Sequence, residues 1–310
     1  MTGLARSPLR RLRDWLELIR FSHTVFALPF AALAAVMAWT TPLPGGGAVT
    51  LRVRDLVGLL LCMVFARSAA MAFNRLVDHR WDARNPRTAN RHLPAGIVSR
   101  AEVGGFTLAC GAGFVASAAL FLPNPLPLWL SIPVLLFLCG YSFAKRFTAA
   151  AHLWLGVALS LAPLCVWVAL RGQAVVAEPA DLTPALLLAA AVACWVAGFD
   201  IIYACQDAEF DAREGLHSVP ARLGVAGALR VAAAFHLVML GLLATLPWLS
   251  GSTPVGGLFG LGVAVVAALV VKQHSLVRPG DLGRVNQAFF QTNAIISLLL
   301  MSVGIVDCLW

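Results

Sequence analysis

Nine apolar runs, each long enough to cross a lipid bilayer as a helix, leave this 310-residue chain little freedom in what it can fold into. They lie near 23–41, 55–74, 101–122, 126–144, 150–170, 183–204, 224–248, 254–272 and 286–307. Each run is continuously apolar instead of alternating with polar residues, so the predicted spans are helices and not strands of a barrel. Composition agrees: 60% of residues are hydrophobic and only 12% charged, against about 25% charged in soluble domains. The expectation is an all-α, polytopic membrane protein, with one nine-helix domain over residues 23–310 and cytoplasmic cap loops.

Nine spans put the two termini on opposite sides, and the basic residues say which side is which. Of the 23 Lys and Arg, only Arg52, Arg54 and Arg171 fall at one face and Arg67 within a span. The remainder crowd the other face, which the positive-inside rule makes cytoplasmic, with the N-terminus inside and the C-terminus outside. The same rule accounts for the formal charge of +8 without nucleic acid. In residues 1–22, Leu12, Trp15, Leu16 and Ile19 recur at helical spacing among arginines. That pattern predicts an amphipathic helix on the cytoplasmic membrane surface, not a cleaved signal. The seven cysteines form no CxxC pair or metal spacing and read as packing residues. Of the histidines, His79, His92 and His217 read as loop-surface or capping residues, and His23, His152, His236 and His274 as packing or interfacial ones.

Two inner connections, about 75–100 and 205–223, hold most of the polar residues. The first opens with Asn74-Arg-Leu-Val-Asp78-His-Arg-Trp-Asp82, N-x-x-x-D-x-x-x-D. Steps of four place Asn74, Asp78 and Asp82 within an arc of roughly 80° on one helical face. The second reads Asp200-Ile-Ile-Tyr203-Ala-Cys-Gln-Asp207-Ala-Glu-Phe-Asp211. Continued as a helix, it brings Tyr203, Asp207 and Asp211 to the Asp200 face as well. One such row is commonly a solvated helix end. Two rows at the same membrane side form a concentration of anions that needs cations. Magnesium suits oxygen rows of this kind, and it keeps few protein carboxylates in favour of waters and phosphate oxygens. A phosphorylated ligand is therefore expected, with Arg20, Arg80, Arg87, Arg91, Lys145 and Arg146 as candidates to offset its charge or to meet lipid headgroups.

The paired motifs, their order and the nine-helix layout resemble the UbiA family of intramembrane prenyltransferases over nearly the whole chain. Supporting stretches are Arg87-Thr88-x-x-Arg91-x-x-Pro94-x-Gly96 and Tyr141-Ser-Phe-Ala-Lys145-Arg146-Phe-Thr148. Gly198-Phe-Asp200-Ile-Ile-Tyr203-Ala-Cys-Gln206-Asp207 is most similar to the 4-hydroxybenzoate polyprenyltransferases of quinone biosynthesis. Arg75, His92 and Gly215-Leu-His217-Ser218-Val-Pro220 depart from the usual pattern. The variant is similar to enzymes assigned to menaquinone synthesis through futalosine, for which a naphthoate-type acceptor is an alternative.

The resemblance implies a bacterial inner-membrane enzyme that transfers a polyprenyl group from its diphosphate to an aromatic acid. It implies Mg²⁺ held by Asn74, Asp78, Asp82, Asp207 and Asp211, and arginines that stabilise the departing diphosphate. Asp200 would accept or orient the acceptor's phenolic hydroxyl. Tyr203 would offer its ring face to the allylic cation, with a membrane-interface anchor as the competing reading. Arg146 would bind either the acceptor's carboxylate or the diphosphate. Membrane CDP-alcohol phosphotransferases also use aspartates and magnesium, but neither Asp82-Ala-Arg nor Asp211-Ala-Arg supplies their D-G-x-x-A-R core. A cation or lipid transporter would place its acids near mid-membrane, whereas these cluster at one rim.

Overall fold

A computed structural model describes residues 8–19, 26–249 and 255–310. The described residues form eleven α-helices and no strands. They are α1 (Pro8–Leu18), α2 (Leu28–Thr40), α3 (Val53–Arg84), α4 (Arg100–Ala118), α5 (Leu126–Ala144), α6 (Ala151–Ala177), α7 (Thr183–Ala204), α8 (Ala208–Arg213), α9 (Val219–Leu249), α10 (Gly257–Ser275) and α11 (Thr292–Leu309). Eight helical segments are long and apolar enough to span a membrane, where the sequence predicts nine. The ninth, α2, is described over 13 residues only, and the start of that span and the 22/23 boundary lie outside the described residues. Even so, Leu33, Ala34, Met37 and Ala38 of α2 are fully buried, packed with α6 and α11 inside the bundle.

Of the eight spans α7 is the most buried and α5 the least. Small residues explain how α7 fits between α6 and α9. A Cβ on Gly156 of α6 would strike the Ala193 carbonyl of α7, and one on Gly198 of α7 would strike the His236 ring of α9. Where apolar surface gives no advantage over lipid tails, close backbone approach of this kind is what holds helices together. Outward-facing Trp129, Leu136, Leu237, Leu261 and Val271 are exposed at the positions lipid would cover.

Two boundaries differ from the sequence expectation, and both shape the site. The second predicted span does not stop near residue 74, because α3 runs on to Arg84, 32 residues in all. At 1.5 Å per residue that is about 48 Å, well beyond a hydrocarbon layer of about 30 Å. Asn74, Asp78 and Asp82 thus sit on rigid helix that projects from the span. The helix ends where Pro86 forces Asn85 into an extended conformation (φ −82°, ψ 118°). The chain re-enters the bundle through a Ser99/Glu102 capping box at the start of α4.

The second motif is not one helix. After Ala204 the chain tightens into a 3₁₀ turn over Cys205–Asp207 and then resumes as α8. The constant 100° step therefore fails between Tyr203 and Asp207. Near the second motif, the positive φ of Gly224 (+66°) separates the first turn of α9 from its membrane span. Trp15 of α1 stacks on Phe106 of α4 with ring centroids 4.5 Å apart, fastening α1 beside the motif-bearing end of the bundle.

Candidate active site

The motif-bearing ends of α3 and α7 converge on a cavity of about 270 Å³. Asn74, Asp78, Asp82, Asp200, Asp207 and Asp211 all line it, as do Arg87, Arg91, Lys145 and Arg146. Tyr203 lines it as well, beside Phe26, Phe199 and Phe289. The last three rings pack edge to face or tilted, with centroids 5.4–5.5 Å apart, and form an aromatic wall.

Within the first motif Asn74 donates to Asp78 (2.8 Å), and Arg91 donates to Asp82 (2.7 Å) from the loop after α3. The Arg146 guanidinium lies 3.7 Å from Asp78, donates to the Val77 carbonyl and stacks 4.3 Å from the Trp81 ring centroid. In the second motif Arg87 grips Asp207 through Nε (2.9 Å) and Nη2 (2.5 Å), Asn85 adds a third bond, and Lys145 lies 3.6 Å from Asp211. Asn85 and Arg87, which follow the first motif, thus hold Asp207 of the second. Burial works against the Lys145 ammonium, but Asp211, with Asp200, Asp207 and Asp78 behind it, holds its pKa above the ordinary lysine value. Burial likewise opposes the charge of Arg87, and the bonds to Asp207 outweigh it.

This network is incomplete. Asp82 Oδ2 and Asp211 Oδ2 are buried without a hydrogen-bond partner, as are Nε of Arg91 and Nε of Arg146. Buried charged atoms without partners are costly, so they mark where a ligand can bind. Carboxylate oxygens without a hydrogen-bond partner, lining the same cavity as Asp78, fit a hard divalent cation. No three His, Cys, Asp or Glu side chains among the described residues are grouped tightly enough to hold a metal unaided. A magnesium ion that draws its remaining oxygens from water and phosphate matches that donor set.

One candidate named from sequence does not join this group, and another is not described. Arg80 is exposed and does not line the cavity. Two residues from both Asp78 and Asp82, it lies roughly 200° around the helix, on the opposite face. Arg20 lies outside the described residues. Tyr203, which lines the cavity, is engaged by Arg87 and Phe289. Its hydroxyl accepts from Arg87 (3.1 Å), the Arg87 guanidinium lies 5.3 Å from its ring centroid, and its ring packs 4.2 Å from Phe289.

Two residues that sequence reasoning passed over belong to the site. Arg67 lines the cavity from within the α3 span. It precedes Asn74 by seven residues, nearly two turns, and shares its face, so the signal was a cation inside a span in register with the motif. His152, which sequence alone suggested as packing or interfacial, is buried at 1% exposure on the first turn of α6. Its Nδ1 lies 2.7 Å from Asp200 Oδ2. No spacing rule links residues 48 apart on different helices.

A sequence profile of the UbiA prenyltransferase family matches residues 25–296. The chain belongs to the UbiA prenyltransferase family. Among its relatives is the 4-hydroxybenzoate octaprenyltransferase of Nitrosomonas europaea, 31% identical over 253 residues, which is 80% of each chain. The structure of a UbiA homologue from Aeropyrum pernix K1 in its apo form superposes with a TM-score of 0.78 at 33% identity, over 92% of this chain and 98% of the homologue. A UbiA homologue from Archaeoglobus fulgidus, solved with DMAPP and Mg²⁺, has the same fold (TM-score 0.67, 19% identity, 95% and 99% of the two chains). This chain is a membrane-embedded prenyltransferase of the UbiA fold.

Proposed function

We propose that the protein transfers a polyprenyl group from polyprenyl diphosphate to an aromatic acid of the 4-hydroxybenzoate type, with Mg²⁺, at this cavity. The observation that carries the reading is one cavity lined both by carboxylates and guanidinium groups that keep buried atoms without a hydrogen-bond partner and by aromatic, apolar side chains. Such a lining suits a substrate with a diphosphate head and a hydrocarbon tail. Relatives named 4-hydroxybenzoate octaprenyltransferase, at about 30% identity, support the acceptor class.

In this reading Asn74, Asp78, Asp82, Asp207 and Asp211 would hold magnesium, which would supply positive charge to offset that of the departing diphosphate. Arg87, Arg91, Lys145 and Arg146 meet the diphosphate oxygens. Arg87 is bidentate on Asp207 in this structure and would trade that carboxylate for the diphosphate, with Tyr203 keeping its fork oriented. As the allylic C–O bond breaks, its electron pair leaves with the diphosphate, and the aromatic wall keeps water from the carbocationic fragment. The acceptor's ring carbon beside its hydroxyl supplies the pair for the new C–C bond, and that carbon's proton then passes to the released diphosphate. Asp200 takes the hydroxyl's hydrogen bond and raises the electron density of the ring. Arg67, below Asn74 in the span, pairs the acceptor's carboxylate, leaving Arg146 to the diphosphate. The motif-bearing end faces the cytoplasm on the distribution of basic residues.

The test is product analysis by mass spectrometry after purified protein in lipid is incubated with polyprenyl diphosphate, Mg²⁺ and either 4-hydroxybenzoate, a hydroxynaphthoate or no acceptor. C-prenylated 4-hydroxybenzoate, lost on chelation and regained with added Mg²⁺, is the expected result. Turnover with the naphthoate alone would move the acceptor to the bicyclic class. Turnover that survives chelation would remove the metal from the mechanism.

A further inference from the structure

We infer that His152 is a positioning residue for the transfer reaction, holding Asp200 through a neutral Nδ1–H donor so that the carboxylate keeps its charge for the acceptor's hydroxyl. The inference rests on the reading of Asp200 as the group that meets that hydroxyl. Its own support is the geometry around His152.

The imidazole has a partner on each nitrogen. The backbone N–H of Val219, at the start of α9, points into Nε2 at 3.3 Å. A nitrogen that accepts a hydrogen bond carries no proton, so the remaining proton of the neutral ring resides on Nδ1. Nδ1 then donates to Asp200 Oδ2 at 2.7 Å. Val219 N–H belongs to the first turn of its helix and has no intrahelical acceptor. It therefore serves as a fixed backbone donor that selects the tautomer. The ring ties together the start of α6, the acidic end of α7 and the start of α9, and it is 1% exposed. Asp200 Oδ1 takes no hydrogen bond from the described residues, while Asp200 lines the cavity.

The other acids of the two motifs are treated differently. Asp78 has Arg146 at 3.7 Å, Asp82 has Arg91 at 2.7 Å, Asp207 has Arg87 at 2.5 Å and Asp211 has Lys145 at 3.6 Å. A permanent cation beside each offsets the charge of a crowded anion row. Among the five, Asp200 is the one with no lysine or arginine within 4.0 Å among the described residues, its close partner being the His152 ring. A neutral N–H fixes the carboxylate's direction without cancelling its charge, and an uncancelled carboxylate is the better acceptor for a phenolic proton. The histidine separates Asp200 from the metal-facing acids in chemistry as well as in position.

The proposal is tested with purified His152→Ala, His152→Asn, His152→Gln, Asp200→Asn and the His152→Ala/Asp200→Asn pair, each assayed for kcat and for KM of both substrates, with thermal unfolding followed alongside. An asparagine amide sits near the position of Nδ1, whereas a glutamine amide sits near that of Nε2. Expected are a roughly 10²-fold loss of kcat in His152→Ala with KM for the prenyl diphosphate unchanged, and recovery in His152→Asn to within about tenfold of wild type, exceeding that of His152→Gln. In the Asp200→Asn background, His152→Ala should cost less than about threefold, because the group it positions is already disabled. Three results would overturn the proposal: wild-type kcat in His152→Ala, equal recovery by Asn and Gln, or an undiminished His152 effect in the Asp200→Asn background. If Asp200→Asn itself turns over normally, the role of Asp200 fails instead, which is a separate outcome from failure at His152 alone.

Discussion

The Arg171 cluster, at the end of the helix bundle away from the motifs, and the motif-bearing end use buried charge in opposite ways. At the end away from the motifs, Arg171 of α6 is fully buried and spends all five of its N–H donors. Nε and Nη2 pair with Asp181 (2.9 and 2.5 Å), Nη1 donates to the Ala38 and Thr41 carbonyls (2.9 and 2.6 Å), and Nη2 also donates to Pro42 (2.9 Å). Trp167 donates to the same carboxylate (3.1 Å) and lies under the guanidinium. The clasp joins α6 and the segment before α7 to the C-terminal end of α2. At the motif-bearing end the charges are more numerous, yet Asp82, Asp211, Arg91 and Arg146 each retain a buried atom without a hydrogen-bond partner. A saturated network has nothing left to offer a ligand and acts as a fastening. An unsaturated one keeps capacity in reserve, which is what a binding site for charged groups requires.

The contrast is open to measurement, and the largest effect is expected at the motifs. Asp78→Ala and Asp207→Ala should each lower kcat/KM by roughly 10³-fold in the prenyl-transfer assay, with the unfolding midpoint moving little because each removes one of several crowded anions. A loss of folded protein equal to the loss of activity would mean that this end is a fastening too. Next comes the clasp. Arg171→Met strands Asp181 in a buried site and should destabilise the fold by about 3–5 kcal/mol, seen as a lower midpoint in detergent, while the folded fraction keeps its kcat. Adding Asp181→Leu should return much of that stability, and a kcat defect in the double variant would contradict the division of labour.

A smaller effect is expected at Arg67, the cation inside the α3 span. Arg67→Gln should raise KM for the aromatic acid by about 10- to 100-fold, the worth of a charge-assisted bond, and leave KM for the prenyl diphosphate alone. Equal changes in both would move Arg67 to the diphosphate. Arg80→Gln, on the exposed face of the same helix, should change neither stability nor turnover by more than about twofold. A strong defect there would show that the opposite face of α3 takes part.

Arg67 and Arg80 also mark where sequence reading succeeds and where it stops. Helical periodicity relates residues on one helix, so the alignment of Asn74, Asp78 and Asp82 was legible, and the same arithmetic applied to Arg80 would have excluded it. The end of α3 was placed about ten residues early, although Asn85 before Pro86 carried the signal for it. The second motif was only partly legible. The 3₁₀ turn over Cys205–Asp207 breaks the step count, and Asp207 and Asp211 reach the cavity because the chain turns there.

By itself the sequence determined that this chain is a bundle of apolar helices, that two acidic rows stand at one rim and that they belong to a UbiA-type prenyltransferase. Hydrophobic length, helical period and motif spacing are local properties, written within a few tens of residues. Only the tertiary structure decided that Arg87 holds Asp207, that His152 holds Asp200 and that Arg171, counted in sequence merely as a rare cation at the far side, is a structural clasp. Each of these depends on which faces of different helices meet. That choice is made by close packing of small residues such as Gly156 and Gly198, and no single helix's sequence pattern encodes it.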